Sequence, residues 1–142
     1  MQNPYDPVDQ TDVVVNGLDI GEVVSKVREQ GYALVEDFLS DEVLESIRKA
    51  FNNDVPITEM RAIGTETGRT WRAHNLLAKT RAADVVFLDE RLRAIVDGVI
   101  GRYNQINVTT LFNTLPGETE QFLHQDDGLW PIPRPHPPFL CN

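Results

Sequence analysis

The chain has 142 residues, 41% of them hydrophobic, and a formal charge of −9, which suits one soluble domain around one core. It has no apolar run near the ~20 residues of a membrane span and no Lys/Arg cluster of the kind nucleic-acid phosphates require. The single cysteine, Cys141, excludes an internal disulfide, and the polar N-terminus lacks a signal pattern, so a cytoplasmic protein without membrane or nucleic-acid partners is expected.

Residues 1–16 are rich in Pro, Asp and Gln and read as a loosely ordered lead, with Val13-Val14-Val15 as a short strand candidate. Asp19 and Glu22 stand at capping-box spacing, and the helix they open runs through Val23, Val24 and Val27 to Gly31, a good terminating residue. Tyr32-Ala33-Leu34-Val35 reads as a buried strand. Ser40 is a strong N-cap followed by Asp41 and Glu42, where the helix dipole favours acids. Leu39 and Leu44 occupy staple positions around it, and Val43, Leu44, Ile47 and Phe51 form one apolar stripe.

Pro, Gly and Thr interrupt the pattern between Asn52 and Thr70, which reads as a loop. Trp71 to Lys79 suits a strand or a short helix. Asp89 caps a helix with Leu92, Ile95, Val96, Val99 and Ile100 on its core face and Gly101 closing it. Asn104 to Asn113 is the longest strand candidate, with Ile106, Val108, Thr110 and Phe112 on one side, taken as the inward one. Pro116-Gly117 marks a turn into the segment that ends in His124-Gln125-Asp126. Helices early and strands late, with no internal linker, predict an α+β fold with residues 17–142 in one domain.

His124 and Asp126 carry the chemistry. In a strand, residues two apart project from the same face, ~6.5–7 Å apart at their Cα atoms. A neutral nitrogen and a hard oxygen at that spacing can share one metal ion, and this donor pair is two-thirds of the two-His-one-carboxylate set that holds non-haem Fe(II). Asp127 would point to the opposite face and reads as a solvated turn carboxylate before Gly128. His74, far upstream, and His136, in a Pro-rich loop, read as non-ligands.

The stretch Gly117 to Pro131, with its His124-Gln125-Asp126 and Trp130, resembles the metal-binding strand of the phytanoyl-CoA dioxygenase family of Fe(II)/2-oxoglutarate oxygenases. Gly31-Tyr32-Ala33-Leu34-Val35-Glu36-Asp37-Phe38-Leu39-Ser40 is similar to that family's opening strand and helix start. The resemblance implies N-terminal helices packed on a double-stranded β-helix, a jelly-roll or cupin-like barrel. It implies Fe(II) bound by His124 and Asp126, with 2-oxoglutarate as cosubstrate. It also places Arg72, Thr110 and Trp130 where relatives contact 2-oxoglutarate. The implied reaction couples O₂-dependent oxidation of a small organic or acyl substrate to conversion of 2-oxoglutarate into succinate and CO₂. In related halogenases a small residue replaces the aspartate, so Asp126 favours hydroxylation.

Relatives take a second His and a cosubstrate-binding Arg from strands beyond the point that Asn142 reaches. On this resemblance residues 17–142 are the N-terminal portion of a longer domain, with half a barrel, and inactive alone. Two other readings stand beside this one. One is a cupin-like metal protein that does not use 2-oxoglutarate. The other is a non-catalytic module whose residues 131–138, Pro131-Ile132-Pro133-Arg134-Pro135-His136-Pro137-Pro138, form a polyproline ligand for an SH3-type groove.

Overall fold

The computed structural model describes residues 6–55, 61–62 and 67–124. Its elements are β1 (Val14–Val15), β2 (Leu18–Asp19), α1 (Ile20–Gln30), α2 (Asp41–Asp54), β3 (Arg61–Ala62), β4 (Thr70–His74), a 3₁₀ turn (Leu76–Ala78), α3 (Asp84–Phe87), α4 (Glu90–Ile100) and β5 (Thr110–Thr114). This is a mixture of helices with two small antiparallel sheets, β1-β2 and β3-β4-β5. No helix among the described residues is long and apolar enough to cross a membrane. The described residues divide into two compact units, the first holding residues 6–38 and 85–105, the second 39–55, 61–62, 67–84 and 106–124.

In the first unit, Asn16 and Gly17 both have positive φ, 48° and 83°, the geometry that turns a two-residue hairpin. It pairs Val15 with Leu18. The hairpin feeds α1, whose N-terminus is capped by the Asp19 carboxylate accepting from the Glu22 N–H at 2.9 Å. Gly31, at φ 88°, ends the helix and donates its N–H to the Val27 carbonyl, as a left-handed C-terminal residue does. Ile20, Val23 and Val24 from α1 meet Ile95 from α4 in a buried cluster, flanked by Val13, Val15, Leu18, Ala33, Val35, Ala94 and Val99.

Gly98 lets α4 pack tightly against α1: a Cβ there would lie 2.7 Å from both Val24 Cγ2 and Gln10 Cγ. Residues ahead of the hairpin are tied to α4 as well. Val8 donates its N–H to the Asp97 carbonyl at 2.9 Å, and Gln10 donates its side-chain amide to the Ala94 carbonyl at 2.9 Å. Arg91 holds the start of α4. Its Nη2 bonds the Asp89 carboxylate at 2.6 Å and the Phe38 carbonyl at 2.7 Å, and its guanidinium lies 4.1 Å from the Phe38 ring centroid.

The expected strand at Tyr32–Val35 does not form. Alternation survives, with Ala33 and Val35 packed on the core and Tyr32 and Leu34 exposed, but no strand among the described residues pairs with it. Burial on both faces requires neighbours that the alternation itself cannot supply.

In the second unit, Val55, Ala73 and Leu76 form the core, with Phe51, Trp71 and Leu111 against it. α2 is capped by Ser40 Oγ, accepting from the Val43 N–H at 3.4 Å. Its stripe is half-buried at Val43, Ile47 and Phe51, while Leu44 faces solvent. β4 is the central strand, antiparallel to both β3 and β5.

The segment from Trp71 to Lys79 resolves as strand then 3₁₀ turn. Asn75 separates them in the left-handed region, φ 57° and ψ 52°, a conformation asparagine tolerates. That turn also explains why the candidate strand from Asn104 is shorter than expected. β4 ends at His74, and after a last bond from the Leu76 N–H to the Thr109 carbonyl no strand among the described residues pairs with the earlier ones. Ile106 and Val108 are therefore exposed, and the ladder begins at Thr110. The core-facing side of β5 belongs to Leu111, correcting the expectation that Thr110 and Phe112 point inward. Pro116-Gly117 does make a turn, with Gly117 at φ 82° and the Glu118 N–H bonded to the Leu115 carbonyl, the form expected when Gly takes the third position after Pro. Residues 118–124 beyond it form no paired strand.

Candidate active-site face

The register of β4 and β5 pairs Arg72 with Phe112, Ala73 with Leu111 and His74 with Thr110. Because side chains alternate along a strand, Ala73 and Leu111 turn to the core, leaving Arg72, His74, Thr110 and Phe112 together on the other face. Two of these, Arg72 and Thr110, come from the sequence reading.

The contacts on this face follow the same rungs. The Arg72 guanidinium lies 4.5 Å from the Phe112 ring centroid, within cation–π range. That stacking occupies the face of the guanidinium and leaves its in-plane N–H groups to find acceptors. Arg72 Nε is buried with no hydrogen-bond partner among the described residues. On the next rung, His74 Nδ1 is 3.0 Å from Thr110 Oγ1. A planar cation, a hydroxyl and an imidazole side by side can receive a carboxylate.

At the edge of this strand pair Arg69 Nη1 donates to the Pro116 carbonyl at 2.9 Å, and the Thr67 hydroxyl bonds the Glu118 carboxylate. These contacts anchor the Pro116-Gly117 turn to the residues just before β4. Past that turn, His124 Nδ1 is 2.8 Å from the Phe122 carbonyl, and the two rings stack at a tilt, centroids 5.3 Å apart. A carbonyl only accepts, so Nδ1 carries the proton, and in the neutral ring Nε2 holds the lone pair. Metal-binding histidines are commonly oriented in this way, one nitrogen donating to a backbone carbonyl and the other ligating.

Asp126 and Trp130 lie outside the described residues, as do Asp127 and the Pro-rich segment 131–138. Among the described residues no three His, Cys, Asp or Glu side chains gather around one point.

His74 and Phe112 are the residues that sequence reasoning left out of the site. A signal existed for both. Phe112 was already two residues from Thr110 on the same side, and His74 stands two from Arg72, which puts them on one face once that segment is a strand.

A family model described as phytanoyl-CoA dioxygenase (PhyH) matches residues 27–142. No solved structure matches the chain.

Proposed function

This chain belongs to the phytanoyl-CoA dioxygenase family, and on that premise we propose that it is an Fe(II)/2-oxoglutarate-dependent oxygenase that hydroxylates a small organic or acyl substrate. The observation that carries the proposal is the family match itself, which includes His124-Gln125-Asp126. Bound Fe(II) supplies the oxidative chemistry, using O₂ and the oxidation of 2-oxoglutarate to succinate and CO₂; the protein binds, orients and shields the reactants.

On this reading His124, through Nε2, and Asp126 hold the metal. The Nδ1–H bond from His124 to the Phe122 carbonyl supports that role, since it presets the ring's tautomer and direction. Arg72 and Thr110 contact the cosubstrate. Their shared sheet face and the Arg72 Nε, which has no hydrogen-bond partner among the described residues, suit a carboxylate, which accepts from Arg72 and Thr110. Trp130 matches an aromatic position that lines the cosubstrate pocket in some relatives, and Asp126, where related halogenases have a small residue, favours hydroxylation over halogenation.

The test is stoichiometry. The intact protein, supplied with Fe(II), 2-oxoglutarate, ascorbate and O₂, should release succinate and CO₂ in equal amounts, and a chelator should stop both. Iron-dependent oxidation of substrate that leaves 2-oxoglutarate untouched would support a cupin-like metal protein instead.

A further inference from the structure

His74 sits on the rung next to Arg72, directly across from Thr110, with Nδ1 3.0 Å from the threonine hydroxyl oxygen. We infer that His74 is a positioning residue for cosubstrate binding, setting the direction in which the Thr110 hydroxyl donates. The inference rests on the reading of Thr110 as a carboxylate contact.

A threonine hydroxyl has one proton to give and two lone pairs, whereas a carboxylate only accepts. Thr110 can therefore help to hold a carboxylate only when its O–H points at it. If His74 Nδ1 lacks a proton, it takes the Thr110 O–H, and the hydroxyl presents lone pairs to an incoming carboxylate. If His74 Nδ1 carries the proton, it donates to Oγ1, and the O–H is released to turn outward. A carboxylate on this face thus selects the Nδ1–H tautomer of His74.

The backbone keeps the imidazole in place for this task. His74 is the last residue of β4, and the left-handed Asn75 turns the chain away immediately after it. Its cross-strand partner is fixed by the β4–β5 register. Arg72, two residues earlier, brings the cation to the same face, its guanidinium stacked on Phe112. His74 itself need not touch the ligand, and its effect passes through Thr110.

The experiment is calorimetric titration of the intact protein with 2-oxoglutarate, with Mn(II) in place of iron so that no turnover occurs. Thr110→Val should raise Kd by roughly threefold to tenfold, the loss of one hydrogen bond. His74→Ala, which leaves the hydroxyl in place but without a fixed direction, should raise it by less, about twofold to threefold. His74→Ala/Thr110→Val should bind no more weakly than Thr110→Val alone. His74→Asn, which keeps an N–H donor near the Nδ1 position, should recover part of the loss. Nitrogen NMR of His74 should show the Nδ1–H form gaining on addition of 2-oxoglutarate.

Wild-type affinity in His74→Ala alongside weakened Thr110→Val would overturn the inference and leave the reading of Thr110 standing. Losses that multiply in the double variant would overturn it equally, since His74 would then act by another route. Unchanged affinity in Thr110→Val would remove both the inference and the reading beneath it.

Discussion

Replacing Arg72 with alanine separates a binding role from a structural one, because the two make opposite demands on stability and affinity. In the free protein the substitution removes a cation–π contact with Phe112, worth ~0.5–1 kcal/mol at a half-exposed site. It also removes a buried Nε without a partner among the described residues, and relieving an unsatisfied group returns ~1 kcal/mol or more. These contributions oppose each other, so folding stability should stay unchanged or rise by up to about 2 kcal/mol. With cosubstrate bound, the lost interaction is a charged hydrogen bond of ~1.5–3 kcal/mol, or a roughly ten- to hundredfold rise in Kd. Urea unfolding and calorimetric titration with 2-oxoglutarate and Mn(II) give the two numbers on one preparation. Arg72→Lys should recover part of the affinity, retaining the charge but not the planar fork. A loss of several kcal/mol in stability with unchanged Kd would show that Arg72 only supports the sheet.

Three further outcomes are expected. Gly98→Ala should destabilise the first unit by about 0–2 kcal/mol in urea unfolding, because ~1–3 kcal/mol of overpacking against Val24 and Gln10 exceeds the ~1 kcal/mol gained in helix propensity. Asp19→Ala should cost about 1 kcal/mol as a lost N-cap, and Ser40→Ala less, since its cap bond is 3.4 Å against 2.9 Å. The Arg91 side chain, by hydrogen bonding to Asp89, holds that carboxyl below its ordinary value of 3.8, with the Arg91 backbone N–H also contributing. A lowered folded-state pKa stabilises the protein above the unfolded value and is lost as pH falls through the folded one. Asp89→Asn, which keeps a capping oxygen, should therefore differ from wild type by a constant amount from neutral pH to about pH 5, a difference that shrinks below 3.8.

The helices were the most legible part of the fold, because their signals are local. Asp19 and Gly31 bracket α1, and Asp89 and Gly101 bracket α4, by caps that act within one turn. The Asn16-Gly17 hairpin was not anticipated, although that dipeptide carries its own turn geometry, because residues 1–16 read as a loosely ordered lead. Strands depend on partners that local alternation does not reveal. Tyr32–Val35 alternates but pairs with nothing among the described residues, and the run from Asn104 forms ladder only from Thr110, where β4 is still beside it.

The candidate site divides in the same way. Family resemblance singled out Arg72 and Thr110 separately. That they share a face, and that His74 and Phe112 join them, follows from the β4–β5 register, a long-range pairing absent from either segment taken alone. Alternation correctly grouped Thr110 with Phe112 but assigned them to the wrong side. Leu111, as the side chain that meets Ala73 and the core, settles the direction.

The central claim, an iron site at His124 and Asp126, is tested most directly by 2-oxoglutarate turnover in three variants of the intact protein. Succinate formation should fall to background in His124→Ala and Asp126→Ala and persist in Asp127→Ala, whose carboxylate is the neighbouring alternative. Wild-type turnover in Asp126→Ala, or loss confined to Asp127→Ala, would contradict the account.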